Sequence, residues 1–471
     1  MERFRWIPIL VVVAVLAVPA SGQTTGIITG TVTDSSGAVV PSAKVTVRNA
    51  GTGEERQLET NASGQYVAYS LPIGDYQVEV TAAGFKKATR ESIRLNVADR
   101  LAINFTLDVG ELTESVAVTA EAPVVTTEKG DVGYVVNTRQ MTDLAVNGRT
   151  FTMLMQLLPG AARTGGDEGG VGFNNSRPFA INGQRSDYTG MLLDGVENTD
   201  MGSQDAMFTA PGLETIAEFK VQTSNYSAEY GTAGGSNILV VTRSGTKDFH
   251  GAAYNFLRND AMDAQNFFAT SKPVLRYNNF GYRIGGPVVI PKVYNQSREK
   301  TFFFWAQEWR RRRTQSIFRA ATPTPEMIAG NYQAEAARIG RPVLDPDTKA
   351  PFPDNIIPTA RMDNNARLLY QSLFPAPNTS GFLNFQQNAG FKENWRQETI
   401  NVTHQFTAGT QGMLRYIQDT WVQDQPGVLW AGQSYPNITS TLDVPGRSFL
   451  AKLTSIVSPT LLNEFSFAYG S

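Results

Sequence analysis

Apolar and polar residues alternate in short runs along most of the chain, the period of strands with one buried face, and the runs change character from segment to segment. The first segment is different. Ile7 to Val18 is an apolar run behind Arg3 and Arg5 and ahead of the small residues Ala20, Ser21 and Gly22. This order reads as a cleaved export signal over residues 1–22, since a helix spanning a membrane needs about 20 apolar residues. Between Gly26 and Leu107, alternating segments such as Tyr76-Gln77-Val78-Glu79-Val80 are punctuated by Ser35-Ser36-Gly37, Gly51 to Gly53, Pro72 with Gly74, and Gly84. That pattern predicts a small β-sandwich over 23–110. Residues 123–245 mix short helical and strand signals around a Gly/Asn-rich stretch from Gly165 to Asn182, which predicts an α+β unit with a long loop.

From Phe249 onward the alternating segments lengthen to about ten residues, the spacing of an antiparallel transmembrane barrel. Phe280, Tyr282 and Ile284 share one parity and Asn279, Gly281 and Arg283 the other, which turns aromatics toward lipid and polar groups toward a wet lumen. Ile400, Val402 and Phe406 oppose Thr399, Asn401, Thr403 and Gln405, and Leu461, Phe465, Phe467 and Tyr469 oppose Glu464, Ser466 and Gly470. Strands are expected to start near 249, 278, 301, 394, 412, 448 and 461, with long outer loops over 259–277, 321–393 and 420–447. An odd number cannot close a bacterial single-chain barrel, so residues 246–471 read as an incomplete barrel with a bare edge near Leu461 to Tyr469.

Composition removes most chemistry. The 471 residues carry 41 Lys and Arg against 43 Asp and Glu, a formal charge of −2, which leaves no bulk positive field for nucleic acid. Without Cys, and with His250 and His404 as the two histidines, the chain has no thiol nucleophile, no disulfide scaffold and no Cys/His metal cluster. The glycines form no nucleotide-binding loop, because no Gly-x-Gly-x-x-Gly opens a helix and no Gly-Lys-Ser/Thr occurs. Neither an enzyme nor a cofactor site is expected.

Gly30-Thr31-Val32, Gly64-Gln65-Tyr66, Leu71-Pro72-Ile73-Gly74-Asp75-Tyr76 and Gly84-Phe85 resemble the carboxypeptidase regulatory-like domain, a sandwich that reads as an adaptor. Tyr66, Tyr69 and Tyr76 are either core or, if exposed, a surface for carbohydrate. Within 111–122, Glu114-Ser115-Val116-Ala117-Val118-Thr119-Ala120 is similar to the energy-coupling box of TonB-dependent outer-membrane receptors, which adds a strand to the periplasmic protein TonB. The local pattern equally suits the last strand of the preceding sandwich. Ile181-Asn182-Gly183-Gln184, Leu193-Asp194-Gly195-Val196, Ile216-Ala217-Glu218-Phe219-Lys220-Val221 and Gly231 with Gly234-Gly235 resemble, in order, the plug domain of these receptors. Their sense is structural: Asp194-Gly195 makes a tight turn, and the glycines allow close packing. Asn279-Phe280-Gly281, Gly285-Gly286-Pro287, Thr301-Phe302-Phe303-Phe304 and the proline-rich stretch around Asp345 to Asn378 resemble the Oar-like branch, whose barrels of about 22 strands need more residues than residues 246–471 supply.

The resemblance implies import of a scarce solute, a siderophore, glycan or peptide, across a bacterial outer membrane with energy passed through TonB. Display of the loops as an adhesin or carbohydrate-binding surface is the other reading. Arg310-Arg311-Arg312-Arg313, behind Trp305 and Trp309, is either a contact for the phosphate of an outer-membrane lipid headgroup or a solvated loop base.

Overall fold

The computed structural model describes residues 24–110, 115–117, 130–144, 146–164, 179–200, 207–230, 234–265, 267, 272–426, 439–458 and 461–471. The export signal, Glu114, Val118, Thr119, Ala120, Gly231 and most of the stretch from Gly165 to Asn182 lie outside the described residues.

The sandwich forms because its strands bury every second residue. β1 (Gly26–Asp34) pairs antiparallel with β4 (Gln65–Leu71), and parallel with β7 (Arg100–Ala102) along its first half and β8 (Phe105–Leu107) along its second. The facing sheet runs β3 (Glu55–Glu59), β2 (Lys44–Asn49), β5 (Gly74–Thr81), β6 (Lys87–Leu95) and β9 (Ser115–Ala117). Ile28, Val32, Val45, Val47, Val78, Val80, Ile93 and Phe105 meet between them. Tyr66 and Tyr76 belong to this core, their hydroxyls donating to the Ile103 and Pro72 carbonyls at 2.7 Å, so neither is available to a carbohydrate; Tyr69 is exposed. A Cβ at Gly30 would overlap the Ile103 carbonyl and crowd the Tyr66 ring. Gly30→Ala is therefore expected to lower the stability of the sandwich by about 1–3 kcal/mol, read from its urea midpoint. An unchanged midpoint would show that β1 can shift without loss.

The second unit is a mixed sheet in the order β10 (Val132–Asn137), β15 (Ile216–Ser224), β16 (Ser236–Thr242), β13 (Thr189–Leu193) and β14 (Val196–Glu197), beside the short pair β11 (Ala161–Arg163) and β12 (Phe179–Ile181). Its helix α1 (Thr138–Asp143) starts at a reciprocal cap between Asn137 and Gln140. The short helical run Phe151–Leu157 buries Phe151, Met153, Leu154 and Met155 against the sheet, with Phe151 edge-on to Phe219 at 5.5 Å.

The third unit is one antiparallel sheet: β17 (His250–Asn259), β18 (Leu275–Pro287), β19 (Thr301–Ala320), β20 (Phe385–Thr407), β21 (Thr410–Pro426), β23 (Gly446–Ser458) and β24 (Leu461–Gly470), with the short β22 (Thr439–Asp443) paired to the outer end of β21. The seven long strands are those the periodicity predicts, in the same order, and β22 is an addition. The barrel is open, with β17 and β24 as its edges. β20 begins at Phe385 rather than near 394, because the ladder with β19 continues to Ala320↔Phe385. Twenty or more residues exceed the 9–11 that cross the hydrocarbon layer, so β19 and β20 extend well beyond it, and alternation for lipid is no guide to that outer part.

Parity along the wall follows the sequence. Asn279, Thr399, Asn401 and Glu308 face inward and are buried, whereas Phe280, Tyr282, Ile284, Phe465 and Phe467 face out, with Phe280 stacked on Trp309 at 5.4 Å. Two details differ. The inner face is packed against the second unit rather than wet, and Phe302, Phe304, Trp395 and Trp421 also turn inward. A protein-filled interior accepts apolar side chains that a water-filled one would not.

Candidate functional site

Everything that distinguishes this molecule from a sandwich beside a sheet lies where the α/β unit meets the barrel wall. The first contact is built on a turn. Asp194 and Gly195 follow β13 with φ of 53° and 89°, conformations suited to Asp and Gly, and they direct the Asp194 carboxylate away from its own strand. It accepts from the Thr242 N–H at 2.8 Å, the Thr242 hydroxyl at 2.9 Å and Arg415 Nη1 on β21 at 2.6 Å. Arg415 is fully buried and also donates to the Leu193 carbonyl and to Ser448 Oγ on β23. One carboxylate thus fixes the end of β13, the end of β16 and two wall strands.

The second contact centres on Glu214, just ahead of β15. It pairs with Arg149 of the same unit at 2.8 Å and with Arg283 of β18 at 3.1 Å. Arg149 lies over the Phe256 ring of β17, 3.7 Å from its centroid. On the wall, Glu308 accepts from Asn279, Tyr254 and Arg310, and Arg310 reaches back to the Arg149 carbonyl at 2.9 Å. Tyr277 donates to the Gly148 carbonyl at 2.9 Å. Between these contacts Gln397 accepts from the Gly212 N–H and donates to the Ala210 carbonyl, and Asn401 donates to the Arg243 carbonyl. The apolar core of the unit, by contrast, takes in Ile417 as its wall residue among those described.

The sandwich docks on the other side of the α/β sheet. The turn from Asn96 to Asp99 inserts Val97 and Ala98 against Leu192, Tyr230 and Leu239. Glu218 accepts from the Val97 N–H and pairs with Arg94 at 3.0 Å, while Lys220 bridges Asp99 and Asp131. Burial pushes the Glu218 carboxyl above the usual carboxylate range, against the pull of the Val97 N–H and Arg94.

The residues singled out in the sequence fall into four places. Ser115, Val116 and Ala117 form β9, a parallel edge strand on β6 of the sandwich, so the described part of the segment that resembles an energy-coupling box is also the last strand of the sandwich. Asn182 and Gly183 make the turn after β12, where the Asn182 amide donates to the Thr223 carbonyl; Gly234 and Gly235 precede β16, and a Cβ on Gly235 would crowd Tyr188. Asp194 and Gly195 form the turn described above. The Arg310–Arg313 run does not act as one cluster, because strand alternation divides it between two faces. Arg310 and Arg312 turn inward to Glu308 and Glu393, Arg313 bonds the Arg312 and Glu393 carbonyls, and Arg311 shares the outer parity of Trp309. A headgroup contact for all four is thereby corrected: the two inward arginines are used by the protein itself. Sequence reading missed Glu214, Arg415, Glu308 and Gln397; for the last three the available sign was a charged or amide residue on the lumen parity of a barrel strand, and Glu214, ahead of β15 in the α/β unit, carried no such sign.

Comparison with known proteins agrees with this architecture. Residues 27–108 match the carboxypeptidase regulatory-like domain, and residues 241–471 match the outer membrane beta barrel domain. The chain is 25% identical over 267 residues to the TonB-dependent transporter Oar of Myxococcus xanthus, a match covering 53% of this chain and 24% of that protein. It therefore spans about a quarter of the length of this curated relative. Among solved structures, the siderophore receptor PiuA of Acinetobacter baumannii aligns over 72% of this chain and 45% of its own at 10% identity and a TM-score of 0.36. A catechol 1,2-dioxygenase of Acinetobacter radioresistens aligns over 22% of this chain and 57% of its own, with 16% identity and a TM-score of 0.17. Neither overlap is close enough to bear on function. The chain thus carries a carboxypeptidase regulatory-like domain ahead of an outer membrane beta barrel domain, and over 53% of its length it is a homologue of the TonB-dependent transporter Oar.

Proposed function

We propose that the protein works as a TonB-dependent receptor, importing a scarce solute past an α/β plug with energy delivered to the segment Glu114–Ala120. The observation that carries this reading is the chemistry of the unit–wall contact. It is made mainly of ion pairs and hydrogen bonds, and the apolar core of the unit reaches the wall at Ile417 among the described residues. Releasing a polar contact into water exposes little apolar surface, so a plug held in this way can move without unfolding, which a plug held by a shared hydrophobic core could not. The solute class stays broad: siderophore, glycan or peptide, with the outer loops and exposed Tyr69 as surfaces for carbohydrate. The outward aromatics Phe280, Tyr282 and Trp309 suit a lipid boundary.

The test is uptake. Proline at Val116 and Val118 removes the backbone donors that strand addition to TonB would use. In cells carrying the full-length protein, V116P/V118P is expected to abolish solute accumulation while leaving surface binding intact. Unchanged accumulation would reject TonB coupling and favour display of the loops as an adhesin.

A further inference from the structure

A cavity of about 520 Å³ lies at the meeting point of the three units, on the side of the α/β unit that faces the sandwich. Its charged lining comes from all three: Glu54 and Arg94 from the sandwich, Asp194 and Arg243 from the α/β unit, and Arg283 and Lys452 from the wall. Five of these six have partners. Glu54 pairs with Arg56 at 3.2 Å, Arg94 with Glu218 at 3.0 Å, Asp194 with Arg415 at 2.6 Å, Arg283 with Glu214 at 3.1 Å and Lys452 with Glu464 at 3.2 Å. Arg243 is different. Its Nε and Nη2 are buried with no hydrogen-bond partner among the described residues.

The position of Arg243 is set by its backbone rather than by its side chain. Its N–H donates to the Thr215 carbonyl at 2.8 Å and its own carbonyl accepts from Asn401 Nδ2 at 3.1 Å. The guanidinium thus borders the cavity with its Nε and Nη2 donors unused, next to a second guanidinium, that of Arg283. Burial and the Arg283 charge bring its pKa down to about 10, against the opposing pull of the Glu214 carboxylate. Buried guanidinium N–H donors without hydrogen-bond partners are costly, and a planar fork of N–H donors matches the two oxygens of a carboxylate or the face of a phosphate. The cavity holds far more than one water, which occupies roughly 30 Å³.

We propose that this cavity is a binding site for a small oxyanion, a compound carrying a carboxylate or phosphate group, held by Arg243 with Arg283 as the neighbouring charge. The site stands apart from solute import, since it needs neither TonB nor movement of the plug. A ligand there would touch sandwich, α/β unit and wall together.

Citrate and inorganic phosphate serve as probes by titration calorimetry on the full chain in detergent, with maltotriose as a neutral comparison. Saturable binding of at least one anion, and none of the sugar, is expected, and Arg243→Gln should weaken it roughly tenfold or more while Arg367→Gln on the outer loop leaves it unchanged. Binding of neither anion, or equal binding by R243Q, would overturn the proposal. Where R243Q does not keep native strand content, the unmodified chain answers the same question: phenylglyoxal labelling of Arg243, read by mass spectrometry, should fall when the bound anion is present. Labelling that is indifferent to both anions would also overturn it. Citrate binding without phosphate binding would assign the site to carboxylates, and the reverse to phosphates.

Discussion

Replacing Asp194 with alanine is expected to destabilise the docked α/β unit by about 3–5 kcal/mol, because it leaves Arg415 fully buried with its charge uncompensated. The loss has two further parts. The Thr242 N–H and hydroxyl lose their acceptor, and the turn loses the side chain that ties it to β16. The measurement is urea unfolding of the full chain in detergent, with trypsin sensitivity of the α/β unit as the second readout. The double variant Asp194→Ala/Arg415→Met should recover much of the loss, since the penalty comes from the stranded cation and not from the absence of a favourable pair. If D194A and the parent unfold at the same denaturant concentration, the carboxylate is not the pin that its geometry makes it.

Glu214→Ala should have an effect of similar size, about 3 kcal/mol or more, for a different reason: one carboxylate balances two arginines, Arg149 within the unit and Arg283 on the wall. Its removal leaves like charges facing each other across the contact, so the variant should loosen the unit from the wall before either unfolds. Protease cleavage within the α/β unit is expected to rise at denaturant concentrations where the strand signal of the barrel is still intact. Glu214→Gln keeps the acceptor oxygen and should fall between the two. A variant in which unit and barrel signals still move together would mean that the wall does not depend on this centre. Because Arg283 also borders the cavity at Arg243, E214A should raise the affinity of that site for an anion.

Both effects arise at residues whose role no single stretch of sequence discloses. Asp194 was legible as a turn, since Asp-Gly after an apolar strand specifies one whatever surrounds it. That the same carboxylate would meet Arg415 of a strand more than two hundred positions later was not legible. The Arg310–Arg313 run shows the reverse case. Four adjacent charges look like one patch in sequence, and a strand sends neighbours to opposite faces, so Arg310 became an interior residue paired to Glu308.

The sequence by itself determined what depends on neighbours a few positions apart. Alternation specified the sandwich strands and the seven long wall strands, and parity specified that Phe280 faces outward and Asn279 inward. Composition removed thiol and Cys/His metal chemistry. These are local properties, because a strand's period and a turn's backbone conformation are set by the residues within it. The tertiary structure alone decided what fills the barrel interior, which charges pair across it, and that Ser115–Ala117 lies on β6 as a strand. Pairing energies depend on distance and burial, both set by the packing of segments far apart in the chain. Arg243, whose backbone is held by Thr215 and Asn401 while its side chain faces an open cavity, is distinguished from the other arginines by that packing and by nothing in its sequence neighbourhood.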